Sequence, residues 1–363
     1  MHATDDHAEA DRIMTVCNSC RYCEGLCAVF PAMELRRSFP DGDLDYLANL
    51  CHGCGACYYD CQFSPPHEFN VDVPRIFARL RARSYARYAW PGAFSFLFAR
   101  NGRAVSAAAA IFVVLFLAGF ALLDGPSFLA PHEGAGAFYA LMPHAAMVAV
   151  FGVAFVAACA ALGAGLAKFW RATAAGPQEP ATSRLLRAVR DAAELRYLDG
   201  GGSGCMNEGE QPTDRRALFH HFTFYGFLLC FAATCVATLD HYTLGWEAPY
   251  PWYGIPVLLG TVGGVGLVVG PAGLLAAKLR RDPELREPDT LGMDMAFVAM
   301  LLLVGASGLA LLFLRATAAM GPLLAIHLGL VLALFVTMPY GKFVHGLYRF
   351  AALVRYARET EPS

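Results

Sequence analysis

The sequence predicts an all-α protein in which a small cysteine-rich domain precedes a bundle of six membrane-spanning helices. Three observations support this fold class. The 363 residues have a mean hydropathy of +0.42 and are only 16% charged, which is more apolar than soluble domains are. Six apolar segments, each long enough to cross a bilayer, follow residue 103. Eight of the 12 cysteines lie ahead of the first of these segments.

The eight cysteines form two copies of the spacing C-x2-C-x2-C-x3-C. This is the ligand run of ferredoxins with two [4Fe-4S] clusters, in which three close thiolates bind one cluster and the fourth binds the other. The predicted ligand sets are therefore crossed: Cys17, Cys20, Cys23 with Cys61, and Cys51, Cys54, Cys57 with Cys27. A zinc site uses two close pairs and a disulfide framework needs an oxidising compartment, so both alternatives fit this spacing less well.

We place a dicluster ferredoxin-like domain at residues 1–74 and an arginine-rich connector at residues 75–103. Between the two cysteine runs, residues 28–50 predict short helices. The polar N-terminus lacks the apolar stretch of a signal peptide. This domain is therefore expected to stay in the reducing cytoplasm, where thiolate-bound clusters persist.

The membrane domain is predicted at residues 104–350, with a loop at 169–216 and a tail at 351–363. Each apolar segment holds about 20 residues or more, as a spanning helix requires. The segments run approximately Ala104–Leu123, Phe138–Lys168, Ala217–Leu239, Gly254–Ala277, Met293–Leu314 and Leu323–Leu347. The glycine-dense part of the fourth segment, which includes Gly263, Gly264, Gly266 and Gly270, predicts close helix packing of the small-xxx-small type rather than a nucleotide loop.

Basic residues are distributed unevenly between the two sides of the predicted bundle. Nearly all of them lie in the connector, in the loop at 169–216, in the loop between the fourth and fifth segments and at the C-terminus. The loops on the opposite side carry only Arg315. The positive-inside rule then places both termini in the cytoplasm. We expect a multi-pass protein of the bacterial cytoplasmic membrane. Residues 184–198, with apolar side chains on one helical face, predict either an interfacial helix or a solvated helix in the long loop.

Histidines within membrane segments need a functional explanation because ionisable groups are costly there. Six histidines lie at the ends of the predicted spans: His144, His220, His221, His241, His327 and His345. His327 and His345 are 18 residues apart on the predicted sixth span. This spacing puts them on one helical face about 27 Å apart, as two stacked b-type haems would require.

The third span supplies the partners for bis-histidine ligation. His220 or His221 lies level with His345, and His241 lies level with His327. Helical phase favours His220 over His221 as the partner on the same face as His241. His144 is an alternative to His241, or a component of a quinone site. Pro339 would kink the sixth span and disturb the spacing of its histidines. The sequence predicts one or two haems.

Two segments carry a resemblance to a known family. They are Arg216–Phe231, which reads RALFHHFTFYGFLLCF, and Met338–Gly346, which reads MPYGKFVHG. Together with the cysteine pattern and the glycine-rich residues 200–205, they resemble the tricarballylate utilisation protein B family, also called the CitB or citrate-utilisation type. The resemblance covers nearly the whole chain.

The resemblance implies a membrane electron-transfer protein with iron–sulfur clusters and haem, which reoxidises the FAD of a partner dehydrogenase acting on tricarballylate. The two-histidine segment is also similar to cytochrome b subunits of respiratory nitrate reductase and heterodisulfide reductase. The predicted fold is thus a dicluster [4Fe-4S] domain followed by a six-helix transmembrane cytochrome b-type bundle.

The function predicted from the sequence is a relay. An FAD-dependent dehydrogenase docks on the cytoplasmic face, and electrons pass through the clusters and haem to the quinone pool in the lipid. The chain would serve as an electron-transfer subunit of an oxidoreductase, with no catalytic residue of its own and no nucleic-acid partner. Reverse flow from quinol, and a redox sensor or maturation factor without catalytic flux, are the alternatives.

Overall fold

The computed structural model describes residues 2–173, 182–200, 202 and 204–360. All regular structure in this part of the chain is helical, apart from one antiparallel bridge between Cys205 and Thr213. The all-α fold class is confirmed. In chain order the α-helices are α1 (Asp5–Cys20), α2 (Val29–Glu34), α3 (Asp41–Leu50), α4 (Ala56–Tyr59), α5 (Val73–Tyr88), α6 (Asn101–Asp124), α7 (His144–Thr173), α8 (Thr182–Ala193), α9 (Arg215–Leu244), α10 (Ile255–Arg280), α11 (Pro288–Leu314), α12 (Met320–Thr337) and α13 (Val344–Glu359).

The N-terminal region is a small helical domain with its own core. α1, α3 and α5 pack around fully buried side chains that include Met14, Leu47 and Phe77. Each such side chain contributes about 1.5–3 kcal/mol by leaving water. Helix ends are capped by side chains, because Thr4 accepts a hydrogen bond from the backbone N–H of His7 and Asp72 accepts one from Arg75. The cysteine runs occupy the short loops and helix ends around this core.

Six helices among the described residues are long and apolar enough to cross a membrane. This confirms the predicted number of candidate spans. Their bounds are Asn101–Leu129, His144–Thr173, Arg215–Leu244, Ile255–Arg280, Pro288–Leu314 and Met320–Tyr340. We call the end of this bundle that meets the N-terminal domain the proximal end, and the opposite end the distal end.

The predicted sixth span is wrong in its last part. α12 ends at Thr337, and a short 3-10 helix over Met338–Tyr340 separates it from α13. Pro339 lacks a backbone N–H and its ring clashes with a continuing helix, so the chain turns here. His327 and His345 therefore lie on different helices, and their 18-residue spacing does not place them on one helical face.

α13 joins the bundle to the N-terminal domain. Its first turn carries His345, whereas Ala352 and Leu353 are buried in the same core as α1, α3 and α5. Arg355 donates to Asp43 at the start of α3 and to the backbone carbonyl of Thr173 at the end of α7. These contacts fix the position of His345 between the two regions.

α9 and α10 approach each other with their backbones in contact. A Cβ atom added at Gly266 would lie 2.8 Å from the carbonyl oxygen of Phe222, and one added at Gly263 would lie 2.9 Å from that of Gly226. Larger side chains would force these helices apart, so the structure supports the predicted small-residue packing. The buried residues of α9 are Thr223 and Gly226, both of which meet α10 glycines.

The amphipathic segment in the long loop forms α8, which ends at Ala193 rather than at Leu198. Ala188 is buried, while Leu185, Leu186 and Val189 are 46%, 63% and 46% exposed. Arg184 donates to a backbone carbonyl at the end of α13. The helix thus holds its polar side against α13 and presents an apolar face outward, as an interfacial helix would.

Candidate functional site

The first cysteine set lies at the end of α1 and in the loops that follow. Arg21 adopts a left-handed conformation after Cys20, and its backbone N–H bonds the carbonyl of Cys17, which ends the helix within the cysteine run. Burial, and next the charge of Cys61, raises the pKa of both Cys17 and Cys23 to about 12. Cys61 comes from the second run, so the structure brings it to the first three cysteines in the crossed arrangement that the spacing predicts.

The second set surrounds a cavity beneath α2 and α5. Four of its lining residues are Cys27, Cys51, Cys54 and Cys57. Burial, followed by the charges of Cys54 and Cys51, raises the pKa of the Cys27 thiol well above its usual value. The fourth cysteine of the first run therefore lies with the first three cysteines of the second.

Both sets have the donors that cluster ligation requires. Buried thiols ionise only when a nearby cation stabilises the thiolate, as bound iron does. Backbone N–H groups already point at the sulfurs, since Gly53 donates to Cys51 Sγ and Phe63 donates to Cys61 Sγ, each at 3.3 Å. Within the described ranges, no three His, Cys, Asp or Glu side chains are arranged to hold a single metal ion. A four-iron cluster is larger than one ion and keeps its four thiolates farther apart.

Four arginines from four different parts of the chain converge on the loop that begins the second run. We call Arg81, Arg216, Arg281 and Arg349 the arginine collar. Their guanidinium groups donate to backbone carbonyls as follows: Arg81 to Ala48 and Cys51 (3.1 and 2.6 Å), Arg349 to Asn49 and Cys51 (3.3 and 2.8 Å), Arg216 to His52 and Gly53 (3.0 and 2.8 Å), and Arg281 to Gly53 (3.1 Å).

The collar is positively charged at neutral pH. Burial, and next the charge of Arg81, lowers the pKa of Arg349 to about 10, which leaves this guanidinium protonated. In the part of the chain that the structure describes, the ion pairs of arginine involve other residues, such as Arg79 with Glu287 and Arg36 with Glu359. A group of half-buried positive charges favours a nearby anion, and a cluster with four thiolate ligands would supply one.

His220 of α9 and His345 of α13 face each other at the proximal end. Their ring centres are 6.3 Å apart and their planes meet at 76°. A metal ion bonded at about 2 Å to one nitrogen of each ring would hold the ring centres about 6 Å apart. The Nδ1–H of His345 donates to the carbonyl of Lys342 at 2.5 Å, so its Nε2 lone pair is free for a metal. The two residues would be able to hold one metal ion between them, as the iron of a b-type haem requires.

His221 is directed elsewhere. Its Nδ1–H donates to the carbonyl of Ala217 at 2.9 Å, and its ring is parallel to that of Tyr225 at 6.0 Å. The structure therefore brings His220, and not His221, to His345. This agrees with the helical phase argument made from the sequence.

The distal end holds the remaining three histidines. His327 Nδ1 bonds Ser307 Oγ at 3.0 Å, and that hydroxyl donates to the carbonyl of Val304. The serine therefore accepts from Nδ1–H, which again leaves Nε2 free. His241 stacks on His144, with ring centres 3.8 Å apart and planes at 26°. Among the described residues the ring of His241 thus contacts His144, Tyr139 and Tyr242, and not His327 as the level of the helices suggests.

Comparison with known proteins identifies the family. The family model "Citrate utilization protein B" matches residues 98–362, and the model "Citrate utilization protein B Fer4-like domain" matches residues 10–87. The chain is 50% identical to Citrate utilization protein B of Escherichia coli over 357 residues, which are 98% of this chain and 93% of the relative. The chain belongs to the citrate utilization protein B family. No solved structure matches it.

Besides the arginine collar, the sequence reasoning missed two features of this citrate utilization protein B family member. The carboxylate of Asp294 on α11 lies between Lys278 and Lys342, with N–O distances of 2.5 and 2.7 Å. This bridge ties α10 and α11 to the linker that precedes His345. An acidic residue in an otherwise apolar segment was the available signal, since such a charge requires a partner.

Cys205 is the second missed residue. Its thiol donates to the carbonyl of Cys54 at 3.5 Å, and Arg216 Nη1 lies 3.6 Å from its sulfur. A Cβ atom added at Gly200 would lie 3.5 Å from Cys54 Sγ. The glycine-rich stretch at 200–205, of which Gly201 and Ser203 lie outside the described residues, thus covers the second cysteine set.

Proposed function

We propose that this protein carries electrons from the reduced FAD of a partner dehydrogenase, through two [4Fe-4S] clusters and b-type haem, to quinone. The Fer4-like match supports the iron–sulfur part of this proposal. The family name supports a role in the use of citrate or a related tricarboxylate such as tricarballylate. The substrate itself would be recognised by the dehydrogenase.

One observation carries the proposal: α13 connects the second cysteine set directly to the histidine pair. Arg349 lies one helical turn after His345 and donates to the carbonyl of Cys51 at 2.8 Å. The residues proposed to hold a cluster and a haem are thus linked through a single side chain. When bound, these groups supply one-electron transfer. The protein contributes their positions and electrostatic surroundings.

The proposed ligands follow from the geometry. Cys17, Cys20, Cys23 and Cys61 would hold one cluster, and Cys27, Cys51, Cys54 and Cys57 the other. His220 and His345 would hold the proximal haem. A second haem at the distal end would use His327 with His241 or His144. The free Nε2 of His327 supports that placement, whereas the stacked pair of His241 and His144 would have to separate.

The proposed location is the cytoplasmic membrane, with both termini in the cytoplasm, because the basic residues gather at the proximal end. We place dehydrogenase docking at the first cysteine set. Cys20 is exposed, and Tyr22 beside it is 74% exposed. The arginines of α5 are less available, since Arg79 pairs with Glu287 and Arg83 with Asp6.

The test begins with the purified, detergent-solubilised protein. We expect about eight cluster irons per chain, with acid-labile sulfide to match, and absorption bands of haem that shift on reduction. Mixing with a reduced FAD dehydrogenase of the same pathway and a soluble quinone analogue should oxidise the flavin faster than either component does alone. Flavin oxidation at the background rate would contradict the relay.

A cysteine variant sharpens this test. Cys54→Ser should lower the cluster iron from about eight to about four atoms and abolish quinone reduction, because one ligand set loses a thiolate. The matched control is Cys159→Ser, which removes an exposed thiol of α7 outside both sets and should leave the iron content unchanged. Equal iron content in the two variants would exclude the proposed ligand set.

A further inference from the structure

The two cysteine sets lie in opposite electrostatic surroundings. The second set is bordered by the arginine collar, whereas the first lies at the surface of the domain beside an acidic side chain. We propose that the collar sets the second cluster at a higher reduction potential than the first, which fixes the direction of flow from the surface toward the histidine pair. This inference rests on the proposed function.

The collar acts on the second set in two ways. Each guanidinium carries a positive charge, and positive charge close to a cluster favours its reduced, more negative state. The guanidinium groups also bind the carbonyl oxygens of the Cys51–Gly53 loop. With these oxygens turned toward the arginines, the Gly53 N–H is directed at Cys51 Sγ. N–H donation to ligating sulfur raises the reduction potential as well.

Burial works in the opposite direction and must be weighed against the collar. Cys51 and Cys54 are 7% and 8% exposed, and loss of water penalises the reduced state because it carries more negative charge. Without the collar, the second site would therefore have the lower potential. Four guanidinium groups around one loop offset this penalty, so their removal should have an unusually large effect.

The first set lacks such compensation. Cys20 is exposed, and Asp60, an exposed acidic residue, directly precedes Cys61 of the same set. Arg21 follows Cys20, but its exposed guanidinium donates to the backbone carbonyl of Asn18, and water screens its charge. An electron released at the first site reduces the second by one electron as the first is oxidised by one. The second site then lies on the side of His345.

The test is a redox titration of the intact protein, followed by electron paramagnetic resonance, with the two clusters resolved as separate signals. Arg281→Gln and Arg81→Gln should each lower the midpoint potential of one cluster and leave the other unchanged. The unaffected cluster serves as an internal reference. Arg79→Gln is the matched control, because Arg79 lies on α5 beside Arg81 and pairs with Glu287 instead of a cluster-loop carbonyl.

The outcomes are distinct. Arg281→Lys should restore most of the potential, because it retains the charge. Equal shifts of both clusters, or no shift in variants that keep both clusters, would overturn the inference. If both glutamine variants lose the second cluster, the lysine variant decides. A second-cluster potential far below that of the unmodified protein, despite the retained charge, would show that the arginines are only structural clamps and would also overturn the inference. Absence of two clusters from the unmodified protein would instead contradict the proposed function.

Discussion

The histidines at the proximal and distal ends of the bundle have similar surroundings at Nδ1, but their rings face different partners. His345 and His327 both have Nδ1 fixed by a hydrogen bond, to the carbonyl of Lys342 and to Ser307 Oγ respectively. On α9, His220 and His241 each have a buried Nδ1 with no hydrogen-bond partner among the residues that the structure describes. The same preparation of the imidazoles is therefore present twice.

The difference lies in the facing partner. His220 and His345 are 6.3 Å apart between ring centres, which leaves room for an ion between them. His241 lies against His144 with ring centres 3.8 Å apart, which leaves none. The ring spacing at the proximal end would therefore suit bis-histidine ligation as it stands, whereas at the distal end His241 would first have to leave His144. A haem at the distal end would therefore bind with a conformational cost that the proximal haem does not pay.

The largest effect is expected at the proximal pair. His345→Ala should remove the proximal haem, reduce the haem content to about half and stop electron transfer from dehydrogenase to quinone. The clusters should still be reduced by dithionite, because all eight cysteines remain. Haem content by pyridine haemochromogen and flavin oxidation in stopped flow provide the measurements. His221→Ala is the control, since His221 bonds Ala217 and should not be required. A variant at His345 with full haem and normal transfer would refute the proximal assignment.

A smaller effect is expected at the distal pair. His241→Ala should lose the distal haem and leave the proximal haem and its reduction by the clusters intact. His144→Ala should keep the distal haem, or bind it more tightly, because the stacking partner that holds His241 is gone. The haem content of the two variants, measured side by side, shows whether His241 or His144 is the distal ligand. Loss of haem from His144→Ala alone would assign the ligand to His144, and full haem in both variants would leave the proximal end as the sole haem site.

The sequence predicted those parts of the molecule that depend on local pattern. Six apolar segments gave six candidate spans because hydropathy over about 20 residues is a property of each segment alone. The crossed cysteine sets followed from a spacing that encodes its own geometry. The end of α12 was less visible, since Pro339 is compatible with either a kink or a break, and the following Gly341 and the packing of α13 on the N-terminal domain decide for a break.

The sequence did not predict contacts between segments that are far apart along the chain. Cys205 meets Cys54 only because the long loop folds back over the N-terminal domain. In the sequence, the arginines of the collar are explained by the positive-inside rule as cytoplasmic charges. That rule does not distinguish Arg81 from Arg79. Their convergence on one loop depends on how α5, α9, α10 and α13 pack together. A single sequence holds no direct signal for that arrangement.

The smallest effect should come from the hydroxyl that fixes His327. Ser307→Ala removes the acceptor of the Nδ1–H bond, so the ring loses its fixed orientation and part of its basicity. Loss of such an outer partner typically weakens metal binding by about 10-fold to 100-fold, and we expect the low end of this range for the distal haem. The proximal haem should be unaffected, because its ligand His345 is fixed by a backbone carbonyl that no side-chain substitution removes. Haem titration of the haem-depleted protein measures the two affinities.

Thr261→Ala is the control, since that hydroxyl bonds the carbonyl of Val257 within its own helix. Equal affinities for the distal haem in Ser307→Ala and Thr261→Ala would mean that the hydrogen bond to His327 serves packing alone. The fixed Nδ1 would then have a role in haem binding at the proximal end only.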